Sequence, residues 1–122
     1  MFLPTFQGVQ NNSATSSSTG TLISTAQTAN AAQTKVSGVI VYKNNAGTAI
    51  LGTDLKIYFT CNGADWTEST PVAAGTFSTG ILMAKCPEVT CVSGTDIRYK
   101  AVWANQVAGS KETQLHGIAL NY

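Results

Sequence analysis

A chain of 122 residues makes one domain with a core of its own, with no obligatory metal or disulfide. Only 11% of its residues are charged, the net charge is +1 and the seven basic residues are scattered, so there is no electrostatic footprint for nucleic acid. No apolar run approaches the roughly 20 residues that span a bilayer, and Met1-Phe2-Leu3-Pro4-Thr5-Phe6 lacks the basic start and long apolar stretch of a signal peptide, which points to a soluble product made in the cytoplasm.

Residues 1 to 20 read as a separate arm. A short apolar start leads into Gln10-Asn11-Asn12-Ser13-Ala14-Thr15-Ser16-Ser17-Ser18-Thr19-Gly20, which buries too little apolar surface to offset its chain entropy. Its anchors are Phe2, Leu3 and Phe6, either on a neighbouring protein or folded back onto the same domain.

From residue 21 to 122 the pattern is β. Leu22 to Thr28 is a first strand, and Ala29-Asn30-Ala31-Ala32 is a weak connector. Val36 to Lys43 is rich in β-branched residues, reads as buried on both faces, and closes at Asn44-Asn45-Ala46-Gly47. A short strand near Thr48 to Leu51 precedes the stretch around which the rest is organised. There, Leu55, Ile57, Phe59 and Cys61 alternate with Lys56, Tyr58 and Thr60, stop at the Asn62-Gly63 turn, and restart at Trp66-Thr67-Glu68. This predicts a central hairpin with an aromatic anchor just after its turn.

Pro71 to Gly75 reads as a loop and Phe77 to Lys85 as a strand, with a bulge at Gly80 and an interruption at Cys86-Pro87-Glu88. Ile97, Tyr99, Ala101 and Trp103 then share one face of a strand whose other face carries Arg98, Lys100 and Val102. Asn105 to Ser110 is a polar turn, and Thr113 to Asn121 is the last strand. About eight strands separated by Gly, Asn, Ser and Thr turns predict an all-β fold, an antiparallel β-sandwich with an extended polar N-terminal arm. Immunoglobulin-like and jelly-roll connectivity both fit.

The residues show no catalytic constellation. His116 is the only imidazole and lies inside the last strand, where a structural or interface histidine is expected. The serines cluster in the arm and turns without a nucleophile-elbow context. The acids Asp54, Asp65, Glu68, Glu88, Asp96 and Glu112 are spread out, with no pair spaced for general acid and base work. Asp54 and Asp96 each end a Gly-Thr-Asp triplet and read as turn caps; a calcium site assembled from loops is the alternative, without EF-hand spacing.

Cys61, Cys86 and Cys91 allow three single pairings, and as small apolar residues they also suit the core as free thiols. Cys86 with Cys91 would close a small loop, and Cys61 with Cys91 would join two strands. The spacing and the single His argue against zinc, and no cofactor is indicated. Among the aromatics, Tyr99 and Trp103 belong to the core face. Tyr58 points away from Leu55, Ile57 and Phe59 and is the aromatic expected at an interface or ligand, while Trp66 is undecided.

Several stretches carry a family likeness: Gly20 to Thr28; Lys35 to Asn44; Gly47-Thr48-Ala49 leading into Leu51 to Tyr58; the Asn62-Gly63 to Glu68 hairpin; Asp96 to Ala101; and Leu115-His116-Gly117-Ile118-Ala119-Leu120-Asn121-Tyr122. Over residues 20 to 122 the chain resembles a β-module common near the C-termini of virion proteins from tailed phages, especially marine ones. The module usually follows other segments of a larger tail, fibre or surface polypeptide, and here about twenty polar residues precede it. The turn also departs from the family's Asp-Gly-Gly before the Trp, since this chain has Asn62-Gly63-Ala64-Asp65.

The resemblance implies a non-enzymatic virion structural protein, a capsid decoration or cement protein or a short head or tail fibre subunit. Its partners would be other virion proteins, and its location the virion surface. A homo-oligomer, trimeric by analogy, is expected. The alternative is a host-attachment module that binds glycan through exposed loops and aromatics. Low charge fits the structural role, because little charge must be desolvated where such a surface packs against its neighbours.

Overall fold

The computed structural model describes residues 20–122 and, within the arm, the backbone of two short strands. Nine strands follow in chain order: β1 Thr5–Gln7, β2 Asn12–Ser13, β3 Gly20–Ile23, β4 Gln27–Ala46, β5 Leu55–Thr60, β6 Thr67–Glu68, β7 Val72–Ser78, β8 Ile81–Trp103 and β9 Glu112–Asn121. There is no helix among the described residues, and hence none long and apolar enough to cross a membrane. All pairings between named strands are antiparallel.

β8 is the spine. Along one edge it pairs with β4 from Leu82 to Ile97 and with β3 from Lys100 to Trp103. Along the other it pairs first with β7 and then with β5. The first half belongs to a sheet extended by β9 on the far side of β4, with β1 and β2 on the far side of β9; the second half belongs to a sheet extended by β6 beyond β5. Between the halves the β4–β8 register slips between Thr28 and Gln33, between Gln33 and Lys35, and between Val36 and Gly38. Such bulges bend a two-stranded ribbon.

The two halves face each other across one core. From the first come Val36, Ile40, Leu115, Ile118 and Leu120; from the second come Leu55, Ile57, Phe59, Ile97, Tyr99, Ala101 and Trp103. Two contacts fix the approach. A Cβ on Gly38 would lie 3.5 Å from the Phe59 ring, and the Trp103 indole N–H donates to the Thr113 carbonyl at 3.1 Å. The alternation expected of residues 97 to 103 is the one observed, and β4 from Val36 to Tyr42 is buried or half-buried throughout.

Several expectations are corrected. Ala29 to Ala32 lie inside β4, in the register slip between the Thr28–Asp96 and Gln33–Gly94 pairs, so the flanking pairs with β8 carry the strand across residues of weak propensity. Residues 22 to 28 do not form one strand: β3 ends at Ile23, where Ser24 turns its hydroxyl onto the Tyr99 amide at 3.1 Å. Thr48 to Leu51 contributes a single bridge, Leu51 to Leu55. Val72 to Gly75 is strand rather than loop, and Gly80, at φ +77°, serves the β7–β8 hairpin turn rather than a bulge.

The expected break at Cys86-Pro87-Glu88 is absent, since β8 runs through it. Pro87 is tolerated because it falls in the register slip against β4 and beyond Val72–Lys85, the last β7 pair in that direction. There its missing N–H removes no ladder bond. Its carbonyl accepts from the Ser69 hydroxyl at 2.6 Å.

The arm joins the domain at an edge. Thr5, Phe6 and Gln7 pair with Leu120, Ala119 and Ile118, and Asn12 and Ser13 with Leu115 and Gln114. Phe2 and Leu3 lie outside the described residues, as does the side chain of Phe6.

Candidate functional site

The period-two alternation of β5 that buries Leu55, Ile57 and Phe59 sends Tyr58 to the opposite face of its sheet. Tyr58 stands across from Lys100 on β8 and from Glu68 on β6, and Lys100 in turn stands across from Ile23 on β3. This row crosses all four strands of the sheet. The Lys100 ammonium lies 4.7 Å from the centre of the Tyr58 ring and 4.8 Å from that of the Trp66 ring, so one cation is shared by two aromatic side chains. Ile23 beside it is half exposed.

The β5–β6 turn holds Trp66 in place through its own polar side chains. The Thr60 hydroxyl accepts from the Asn62 and Gly63 amides at 3.2 and 3.1 Å. The Asn62 carbonyl oxygen accepts from the Ala64 and Asp65 amides at 2.9 and 2.8 Å, while its NH₂ donates to the Asp65 carboxylate at 2.7 Å. Gly63 is in the left-handed region at φ +75°, and a Cβ there would lie 2.3 Å from an Asp96 carboxylate oxygen. Asp96 is itself fixed by Arg98 at 2.8 Å. The platform is therefore built on strands and a self-bonded turn.

Chemically, Tyr58, Trp66, Lys100 and Ile23 offer flat apolar area, a phenol, an indole N–H and a positive charge. That combination suits docking to another protein or to a sugar ring. It contains no nucleophile beside a base.

The other sequence candidates are placed elsewhere. His116 is half-buried on β9, where its Nε2 shares a hydrogen bond with the Gln114 side-chain oxygen at 2.9 Å. Asp54 does cap, accepting from the Ile50 amide at 2.7 Å, but it also binds Asn105 and Lys111. Asp96 pairs with Arg98 within β8 rather than capping a turn. Among the described residues, no group of three His, Cys, Asp or Glu side chains is placed to hold a metal ion. Tyr99 and Trp103 are buried in the core, as expected.

Cys61, Cys86 and Cys91 are all buried as free thiols. The Cys91 thiol donates to the Phe59 carbonyl at 3.6 Å, which brings it to the end of β5 beside Cys61. Burial and then the neighbouring Cys91 push the Cys61 thiol up to about 12; burial alone does the same for Cys86.

Two further surfaces stand on the first sheet. β7 is exposed along its whole length, with Val72 and Phe77 the large apolar side chains on it. A shallow groove of about 520 Å³ runs beside it, lined by residues including Val39, Val72, Ala74, Pro87 and Asn121. The share of Lys100 in the platform was not visible in the sequence. The signal was present only as matching parity, Tyr58 and Lys100 both opposite the apolar faces of their strands, and it needs the β5–β8 register to become a contact.

Comparison with protein-family models, with curated proteins and with solved structures gives no match.

Proposed function

We propose that this chain is a non-enzymatic structural protein of a tailed-phage virion, a capsid decoration or cement protein or a short head or tail fibre subunit, that binds the particle surface through its arm and its β-domain. The observation that supports this reading is how the arm meets the domain. β1 and β2 add to the outer edge of β9 by main-chain pairing, a contact that demands little of side chains and can equally be made to a strand edge on a neighbour. The low charge of the chain and its family likeness over residues 20 to 122 favour the same role. The mechanism is buried area added across subunit boundaries, which stabilises the assembled particle by mass action and sums over copies.

The test is assembly of the full-length chain, and of a chain lacking residues 1–19, onto isolated phage capsids, with capsid melting followed in parallel and the fold of each checked by circular dichroism. Binding and a raised capsid melting temperature that both require the arm are the expected result. If neither chain binds, the decoration reading fails.

The platform of Tyr58, Trp66 and Lys100 favours a second reading, a glycan-binding host-attachment module. Its test is binding to host polysaccharide, with loss on Trp66→Ala and indifference to removal of the arm.

A further inference from the structure

We infer that Cys61 and Cys91 are the site of an intrachain disulfide, formed across the core when the protein meets a small-molecule disulfide such as oxidised glutathione. This does not depend on the virion reading. Cys61 immediately follows β5 and Cys91 lies in the middle of β8, thirty positions further along the chain. Both are nevertheless buried in the one core, and the Cys91 thiol lies 3.6 Å from the Phe59 carbonyl oxygen, two residues before Cys61.

The backbone explains why. β8 pairs with β5 only from Arg98 to Trp103, and the chain before that folds back over the end of β5: the Asp96 amide donates to the Cys61 carbonyl at 2.8 Å, and the Cys91 thiol reaches the Phe59 carbonyl. Gly94 permits this approach, since a Cβ there would lie 2.3 Å from the Cys61 carbonyl oxygen. The stretch from Cys91 to Asp96 is thus held against the end of β5, by the Cys91 thiol on the Phe59 carbonyl at one end and the Asp96 amide on the Cys61 carbonyl at the other.

The competing pair does not have this geometry. Cys86 and Cys91 sit five positions apart in the same extended strand, which sets their Cα atoms about 16 Å apart at about 3.3 Å per residue. A disulfide needs Cα atoms within about 7 Å. Cys86 is instead paired with Gly38 in the ladder of the first sheet.

The reaction balances as a thiol–disulfide exchange. One cysteine, as thiolate, attacks the oxidant and releases one small thiol; the second attacks the mixed disulfide, forms the Cys61–Cys91 bond and releases the other. The protein loses two electrons and two protons, and the oxidant is reduced to two thiols. Burial slows the first step, because the attacking group must be both ionised and accessible. The bond therefore forms fastest during refolding, when the end of β5 is open.

The full-length chain, refolded in reduced and oxidised glutathione, is quenched with acid, alkylated and digested after Lys, Arg and Glu without reduction. Those cleavages place Cys61, Cys86 and Cys91 on three separate peptides, since Glu68 and Glu88 lie between them. The expected product is lighter by about 2 Da for the two hydrogens lost, with a linked Cys61–Cys91 peptide and Cys86 alkylated. Its melting temperature should exceed that of the reduced chain by about 10 °C and return on treatment with a phosphine reductant. Cys86→Ala should behave identically, which keeps the test independent of whether Cys61→Ser or Cys91→Ser folds. Full alkylation of Cys61 and Cys91, a persistent glutathione adduct, or a linkage through Cys86 would each overturn the assignment.

Discussion

The Asp54 carboxylate and the Lys111 ammonium are joined at 2.7 Å, with Asp54 only 1% exposed and Lys111 26% exposed. Around the pair, Asp54 also accepts from the Ile50 amide and the Asn105 side chain, and its carbonyl accepts from the Ala104 amide at 2.9 Å. One residue thus ties the entry of β5 to the turn between β8 and β9. Removing the carboxylate leaves three donors unmatched. Asp54→Ala should destabilise the protein by about 2–4 kcal/mol, below the full penalty for a broken buried pair because Lys111 can reach water. Urea unfolding measures this, and the double variant Asp54→Leu with Lys111→Met should lose less than Asp54→Ala alone.

The same pair sets the acid limit. Burial alone would raise the Asp54 carboxyl, but the bonds from Lys111, Ile50 and Asn105, together with the Lys111 charge, outweigh it and hold the group below its ordinary value. A depressed folded value contributes stability that is fully present above the unfolded value of about 3.9 and is lost as pH falls through the folded value. Glu112, held low by the Gly109 amide and the Asn45 side chain, acts in the same direction from the surface. The urea midpoint should therefore be flat between about pH 7 and 5 and fall below about pH 4, and Asp54→Asn should shrink that fall. An acid limb of the same size in Asp54→Asn would assign it to other carboxylates.

Strands with clean alternation were legible in the sequence. Ile97 to Trp103 and Leu55 to Phe59 place their apolar residues in the core because period two leaves them one choice of face. Pro87 and Ala29 to Ala32 were misread because local propensity argues for a break at each, whereas each falls in a register slip whose flanking pairs, made far along the chain, carry the strand across it. The outward position of Tyr58 was likewise readable, yet its partner Lys100 was not, since registers between strands forty residues apart are set by the whole sheet. The approach of Cys91 to the end of β5 depends on a bend in β8 that no local pattern announces.

The platform should be nearly neutral for folding. Trp66 and Lys100 lie on the outer face of the sheet, where a cation–π contact contributes about 0.5–1 kcal/mol. Trp66→Ala and Lys100→Ala should each destabilise by about 1 kcal/mol or less, with a coupling of about 0.5–1 kcal/mol in the double-variant cycle. Urea titrations of the four proteins check this. A loss of several kcal/mol from Trp66→Ala would make the residue a structural one and remove the platform as a docking surface.

Gly94 and Gly80 both sit at or near bends of the long β-ribbon, but they should respond oppositely to a methyl group. At Gly94 an added Cβ would lie 2.3 Å from the Cys61 carbonyl oxygen and 2.9 Å from the Asn62 Cα, both backbone atoms held by the β5 turn, so nothing nearby can yield cheaply. At Gly80 the hairpin turn is left-handed, at φ +77°, but no atom lies within 4 Å of the added Cβ. Gly80→Ala should therefore lose only the left-handed penalty of about 1–2 kcal/mol. Gly94→Ala should lose about 2–4 kcal/mol, because the fold of β8 over the end of β5 must open. The order decides the point: if Gly94→Ala proved the milder of the two in urea unfolding, the close approach of Gly94 to Cys61 would not be what holds this bend.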